Sequence, residues 1–351
     1  MHLSLTSLVV VLCMVAVAPV SGIHKARTFR VDLETPPEQR WKRVLQEYDI
    51  EVFRKLAKEV IDTFIPKILV PSLNALISPL DEFIPEPYAA EIKGIAKTSG
   101  LGVGEVVGLN IVYDVTAFCT SIVAEDTQGN IFHARNLDYK VTGELKNITS
   151  VVTYYRGGLP EYTTTSFLGQ VGAFTGMRPH EFTISLNERN QGSIEKNLEA
   201  LFESLLLKRG TLTSFILRDV IATKRNYQEA VASLAETPLV APVYIIVGGV
   251  RPGEGVVITR DQKHADLWRL DVKSGRWWLL ETNYDHWVEP PAHDDRRDPG
   301  NKAMMKVGQA NINERTLFEV LSVHPVLNNN TAYTCLMTAA RPELYDTVIR
   351  D

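Results

Sequence analysis

Cysteine is scarce in this chain, with three in 351 residues, Cys13, Cys119 and Cys335. The first lies in a leader-like segment, so a single Cys119–Cys335 bridge is the most disulfide chemistry the mature chain can hold. An excess of charge of either sign is missing as well. Lys and Arg number 37 against 42 Asp and Glu, for a net charge of -5 and a pI near 6.0. Basic runs such as Asp294-Asp295-Arg296-Arg297 bring their own acidic neighbours. That balance leaves no footprint for nucleic acid. Past the N-terminal segment no stretch approaches about 18 uninterrupted apolar residues, so the mature protein is not expected to cross a membrane. Metal and phosphate motifs are lacking too. The histidines form neither HExxH nor a zinc spacing with cysteine. Gly100-Leu101-Gly102-Val103-Gly104 completes neither a dinucleotide fingerprint nor a P-loop. No GxSxG elbow occurs, which sets aside the common serine hydrolases.

What is present begins at the N-terminus. Residues 1–22 carry an apolar stretch from Leu8 to Val20 followed by Ser21 and Gly22, the pattern of a signal peptide cut near Gly22. As an uncleaved anchor the stretch is too short to span a bilayer comfortably. N-glycosylation triplets at Asn147 and Asn329 agree with passage through the secretory pathway. From Ile23 to about Asp114 the texture is helical with proline punctuation. Apolar residues from Trp41 to Phe64 fall at helical spacing, which predicts one helix over Arg40–Ile65. Prolines from Pro66 to Pro87 then cut the chain into short pieces. The very apolar Ile68–Ile84 segment reads either as core or as a surface that touches lipid.

The texture turns to strands at Cys119. Cys119–Ala124, a polar turn and Asn130–Ala134 give a hairpin signal. Strand-like runs follow at Ser150–Tyr155, Tyr162–Phe167 and Phe182–Leu186, then helical ones near Glu195–Lys208, Thr211–Thr223 and Asn226–Ala235. Strands resume at Val243–Gly248, Gly255–Thr259, Ala265–Leu270 and Trp277–Thr282. A helix near Glu314–Val323 precedes a strand at Ala332–Met337. Blocks of strands and blocks of helices point to antiparallel sheets with helices packed outside, an α+β class rather than alternating βαβ units.

Cys119 stands at the junction of the two textures. It reads as one half of a bridge, as a buried free thiol, or as a nucleophile. A cut at the Phe118–Cys119 peptide would set the α-amine of Cys119 beside its own thiol, a nucleophile with a built-in base. The run Cys119-Thr120-Ser121-Ile122-Val123-Ala124-Glu125-Asp126, continuing to Arg135-Asn136-Leu137-Asp138-Tyr139, resembles the mature start of the acid ceramidase and N-acylethanolamine acid amidase family, lysosomal hydrolases with an N-terminal nucleophile. The likeness extends over Lys93-Gly94-Ile95-Ala96, Leu186-Asn187-Glu188-Arg189 and Ile258-Thr259-Arg260-Asp261. It continues through Glu281-Thr282-Asn283-Tyr284-Asp285-His286-Trp287 and Asp294-Asp295-Arg296-Arg297.

The resemblance implies an αββα four-layer sandwich made of two chains that one precursor produces by self-cleavage. A helical α chain would span 23–118 and a catalytic β chain 119–351. It also implies a lysosomal location, a fatty-acid amide substrate, and transient contact with a membrane or lipid-vesicle surface. Cys119 would be the nucleophile of self-cleavage and of turnover. Arg135 and Asp138 would position and polarise the new terminus, Glu188 would support the self-cleavage geometry, and Asn283 would donate to the oxyanion through its NH2. Arg296 would belong to the outer part of the site. Such a mechanism requires no metal and no organic cofactor. Taken singly, these residues have plainer readings: an Arg135–Asp138 surface ion pair worth ~0–1 kcal/mol, a turn at Asn283, a solvated Glu188.

An unperturbed α-amine titrates at ~7.7–8.0, so at a pH of about 5 only about 0.2% is free base. A neighbouring cation lowers that value and a carboxylate raises it, which gives Arg135 and Asp138 opposite effects. A cationic neighbour also favours the thiolate. N-acylethanolamines are favoured over ceramide by Thr237-Pro238-Leu239, Gly308-Gln309-Ala310-Asn311 and the lack of a cysteine pair after Cys335, although Leu186-Asn187-Glu188 reads closer to acid ceramidase. A lipid-binding protein without turnover and a cysteine hydrolase of other amides stand as alternatives.

Overall fold

A computed structural model describes residues 23–65, 67, 84–115, 118–139, 142–189, 203, 207 and 210–350. The leader over 1–22, most of the Ile68–Ile84 segment and most of the Glu195–Lys208 stretch lie outside the described residues.

Strands rich in Val, Ile, Thr and Tyr pair into two sheets. Six form the first, in the order Ile23–Lys25, Asp346–Arg350, Thr331–Met337, Ile131–Asp138, Phe118–Glu125 and Trp278–Glu281. Eight form the second, in the order Ala265–Arg269, Gly255–Arg260, Val243–Gly248, Phe182–Glu188, Thr175–Arg178, Leu159–Phe167, Thr149–Arg156 and Arg27–Asp32. Alternation along the Phe118–Glu125 strand decides what each residue meets. Ile122 and Ala124 pack with Met304, Leu317 and Val320 under the helices Arg297–Val307 and Glu314–Val320. Val123 packs with Ile131, Tyr244, Ile246 and Val257 between the sheets. A period of two then places Cys119 and Ser121 with Val123 on the inter-sheet face. Because both faces are covered, the strand is buried from Cys119 to Glu125. Each fully buried Val, Ile or Leu in these layers contributes about 1.5–3 kcal/mol relative to exposure. Helices Thr213–Thr223 and Tyr227–Glu236 cover the far side of the second sheet. The layers therefore run helix, sheet, sheet, helix, the expected αββα arrangement.

The N-terminal part departs from the expectation of a purely helical segment. Ile23–Lys25 adds antiparallel to Asp346–Arg350 at one edge of the first sheet, and Arg27–Asp32 runs parallel to Thr149–Arg156 at an edge of the second. The single helix expected over Arg40–Ile65 is two, Lys42–Gln46 and Ile50–Phe64. Asp49 separates them: its carboxylate accepts from the N–H groups of Glu51 and Val52 and so starts the second helix. In the helix Tyr88–Ser99, Gly94 lies against the Glu38 carbonyl, where any added Cβ would collide.

Charge ties this segment to the rest. Glu91, 0% exposed, accepts from Arg40 at 3.0 Å, from the Trp41 indole at 2.7 Å, and from both terminal nitrogens of Arg218 at 2.6 and 2.9 Å. The Arg218 guanidinium also lies over the rings of Tyr88 and Tyr154, 5.1 and 4.5 Å from their centroids. Among the described residues no helix is long and apolar enough to cross a membrane.

Candidate active site

Cys119 is the first inward-facing residue of its strand, and it has no exposed surface. Each of its polar atoms is engaged. Its backbone N–H donates to Asn283 Oδ1 at 2.9 Å, and its carbonyl accepts from Arg296 Nη1 at 2.6 Å. Sγ accepts from Arg135 Nη2 at 2.5 Å and faces the Leu186 carbonyl at 3.6 Å. Phe118, half-buried, lines a cavity of about 610 Å³ together with Asp138, Tyr284, Asp294, Arg296 and His324. The Phe118–Cys119 peptide thus sits where the cavity meets the buried cluster.

Arg135 comes from the neighbouring strand, and its other terminal nitrogen donates to the Phe174 carbonyl at 3.0 Å and Thr175 Oγ1 at 2.9 Å. Asp138 is three residues further along that strand, hence on its opposite face. The surface ion pair between Arg135 and Asp138 considered from sequence is not what forms, since both are buried. Asp138 accepts instead from Thr331 Oγ1 at 2.7 Å and Asn328 Nδ2 at 3.0 Å, with Arg296 Nη1 at 3.5 Å.

Arg296 is more central than its expected outer place. Besides the Cys119 carbonyl it donates to Asn283 Oδ1 at 2.8 Å and grips both Asp294 oxygens at 2.9 and 3.0 Å. The Asn283 NH2, expected to face an oxyanion, donates to the Glu188 carbonyl at 2.7 Å. Glu188 itself ends the strand Phe182–Glu188 and is buried, which removes the solvated-charge reading.

The electrostatics oppose a thiolate. Burial pushes the Cys119 thiol up to about 11, outweighing the pull of the Arg135 guanidinium, and Asp138 adds to the rise. Burial likewise raises the Asp138 carboxyl above the usual range, against the Arg296 charge and two side-chain donors. In the uncut chain Cys119 is therefore a neutral thiol. Cys335 is also free and buried, so the bridge between the two cysteines is not made. Both sequon asparagines, Asn147 and Asn329, are exposed. Among the described residues no three His, Cys, Asp or Glu side chains converge as metal ligands would.

Sequence reasoning missed Asp294, Asn328 and Thr331, which hold Arg296 and Asp138, and the polar residues Ser121, His133, Ser185 and Asn187 behind the site. Ser121 carried a signal, a polar residue at an inward position two along from Cys119.

Residues 24–84 match the family model of the beta subunit of N-acylethanolamine-hydrolyzing acid amidase. Residues 119–313 match that of linear amide C–N hydrolases, choloylglycine hydrolase family. The N-terminal piece, named α from sequence, thus matches a model named for a beta subunit, and the two pieces are called N-terminal and C-terminal below. The chain is 44% identical over 324 residues to the N-acylethanolamine-hydrolyzing acid amidase of Rattus norvegicus, covering 92% of this chain and 88% of that one. It is 36% identical over 342 residues to the acid ceramidase of Homo sapiens, covering 92% and 86%. Among solved structures, a Caenorhabditis elegans N-acylethanolamine-hydrolyzing acid amidase ortholog matches with a TM-score of 0.61 and 38% identity. That match covers 66% of this chain and 100% of the other.

Proposed function

This chain belongs to the linear amide hydrolase family that holds the N-acylethanolamine acid amidases and acid ceramidases, and from that premise we propose that it cuts itself before Cys119 and then hydrolyses N-acylethanolamines through a Cys119 acyl-enzyme. The observation that carries the proposal is the cage around Cys119, whose nitrogen, carbonyl and sulfur are each held by a different side chain beside a cavity wall made by Phe118.

In self-cleavage the Cys119 sulfur attacks the Phe118 carbonyl carbon. The peptide C–N bond breaks, the thiol proton ends on the Cys119 nitrogen, and Phe118 is left as a thioester on Sγ. One water hydrolyses that thioester and frees the Phe118 carboxyl. The new α-amine inherits the Asn283 Oδ1 acceptor and the Arg296 guanidinium nearby. A cation at that distance disfavours protonation, so the amine becomes a usable base below its ordinary ~7.7–8.0. It then takes the thiol proton as Sγ attacks a substrate amide and returns a proton to the departing amine. The oxyanion is met by the Asn283 NH2, which in the uncut chain is held by the Glu188 carbonyl; losing one such donor costs about 2.7–4 kcal/mol. Arg135 holds the sulfur in line, and Asp138 and Asp294 hold Arg296.

Several observations support the finer points. The 233 residues from Cys119 onward are 66% of the chain, the share that the solved ortholog chain covers. Identity to the amidase exceeds that to the ceramidase, which favours acylethanolamine as substrate. The leader and the two sequons agree with a glycosylated lysosomal enzyme. Contact with a lipid surface remains tied to the Ile68–Ile84 segment.

The test is an acid incubation at a pH of about 5 of wild type and Cys119→Ala, read by intact mass. Wild type splits into chains beginning near Ile23 and at Cys119, and the variant stays whole. Palmitoylethanolamide is then turned over faster than ceramide by the split enzyme. A wild-type chain that stays whole would turn the reading toward a lipid-binding protein.

A further inference from the structure

Five polar side chains that the mechanism does not use form a line through the core between the sheets. His133, Thr183, Ser185, Ser121 and Asn187 are all 0–1% exposed. Counting protons fixes how they bond. The Ser121 hydroxyl donates to Asn187 Oδ1 at 2.7 Å, so toward Ser185, at 2.9 Å, it acts as acceptor. The Ser185 proton is thereby spent, and Ser185 accepts from His133 Nε2 at 2.8 Å. His133 Nε2 therefore carries the ring proton. Burial pushes this imidazole down to about 3, so the ring is neutral in a mildly acidic medium, and its bare Nδ1 lies 2.9 Å from Thr183 Oγ1, whose one proton is shared between that nitrogen and the Gly248 carbonyl at 3.2 Å. At the other end, Asn187 Nδ2 donates to two successive carbonyls, Glu281 at 3.0 Å and Thr282 at 2.9 Å. Carbonyls cannot donate, so the amide has one orientation that satisfies all of its partners.

The destination of this line matters. The Thr282 carbonyl belongs to the peptide plane that leads into Asn283, the residue that receives the Cys119 N–H. Asn187 also lies between Leu186, whose carbonyl faces the thiol, and Glu188, whose carbonyl holds the Asn283 NH2. We propose that Asn187 is a positioning residue, the last member of a one-way hydrogen-bond chain from His133 that fixes Asn283 against the Cys119 nitrogen. None of the five residues touches the sulfur; they act through Asn283. The proposal rests on the amidase reading for its kinetic consequence. The direction of the chain is a property of the folded protein alone.

Two measurements test it. In the full-length precursor at a pH of about 5, Asn187→Ala and Ser121→Ala slow self-cleavage about tenfold or more, read by intact mass. On whatever split enzyme forms, kcat falls while KM holds, and Ser121→Thr, which keeps the hydroxyl, restores the rate. Thr165→Val, which removes a buried hydroxyl bonded to Tyr345 and Thr347 elsewhere in the core, is the control for general loosening and cleaves at the wild-type rate. Wild-type cleavage by Asn187→Ala, or equal slowing by Thr165→Val, overturns the positioning role. Separately, 15N NMR of the uncut Cys119→Ala protein reports His133 as the Nε2–H tautomer at the same pH. An Nδ1–H ring or an imidazolium overturns the one-way chain. A wild-type protein that never cleaves overturns the amidase reading and the kinetic role with it, while the tautomer result still decides the chain.

Discussion

Replacing Glu91 by Gln is the perturbation whose size can be worked most fully from the structure. The carboxylate has no exposed surface and takes four hydrogen bonds, from Arg40, Trp41 and twice from Arg218. An amide supplies one acceptor oxygen, and its NH2 is turned on an indole or guanidinium donor. Arg218, 1% exposed, is left as a buried charge without its counter-ion. Breaking a buried pair from one side costs about 3–5 kcal/mol. Arg218 keeps the Val171 carbonyl at 2.7 Å and the Tyr88 and Tyr154 rings, so the lower half of that range applies. At about 2–4 °C per kcal/mol, the melting temperature of the uncut Cys119→Ala protein falls by roughly 6–16 °C. The assay is a thermal melt of Cys119→Ala with and without Glu91→Gln. In the split protein the same change has a second readout, because Glu91 and Arg218 then belong to different chains. The dissociation constant between the pieces rises about a hundredfold or more, and the melt becomes dependent on protein concentration. A shift under 2 °C, or split pieces that stay together at the wild-type dilution, would refute the reasoning.

Other outcomes follow from the site and its surroundings. Glu281, fully buried, has its carboxyl raised by burial from 4.5 to about 8. The folded state keeps a proton that the unfolded chain releases, so this group's stabilisation is complete below 4.5 and is lost as pH rises toward 8. Glu281→Gln in the Cys119→Ala protein flattens the fall in melting temperature between those pH values, and an unchanged slope counts against it. Burial holds both thiols near about 11, so the native uncut chain resists iodoacetamide at pH 8, where only about 0.1% of each is thiolate. Rapid native labelling of either cysteine contradicts that. Arg296→Lys slows self-cleavage about a hundredfold, because an ammonium cannot meet the Cys119 carbonyl, Asn283 and both Asp294 oxygens at once. Intact-mass time courses that match wild type would remove Arg296 from the mechanism.

The hairpin at Cys119 was legible because a polar turn separates two strand-like runs, Cys119–Ala124 and Asn130–Ala134, and the structure extends it to Phe118–Glu125 and Ile131–Asp138. Val243–Gly248 coincides with expectation because it is an almost continuous run of β-branched apolar residues. Arg27–Asp32 was not legible, since as an edge strand it is mostly exposed and carries two arginines and an aspartate. The helix Arg297–Val307 opens Arg-Asp-Pro-Gly, which reads as a turn, yet proline is tolerated in a first helical turn. In the site, Cys119, Arg135 and Asn283 were nameable from motifs, but their bonding was not. That Arg296 reaches the Cys119 carbonyl from 177 positions away depends on how a helix start is laid over the end of a sheet. Spacing cannot report that. Spacing does place Arg135 and Asp138, three apart, on opposite faces of one strand, but not the partners each meets there.

If the chain is cut before Cys119 as proposed, the pairing of residues 23–32 bears on how the two pieces stay together. Ile23–Lys25 is stitched to one sheet and Arg27–Asp32 to the other, with Ala26 between them, its N–H donating to the Thr347 carbonyl. Departure of the N-terminal piece would strip a border strand from each sheet at once and leave two rows of unpaired N–H and C=O groups, ready templates for intermolecular pairing. Retaining the piece therefore protects the C-terminal chain from self-association, and a preparation that has lost it should precipitate or form fibrils before it shows any loss of the Cys119 thiol.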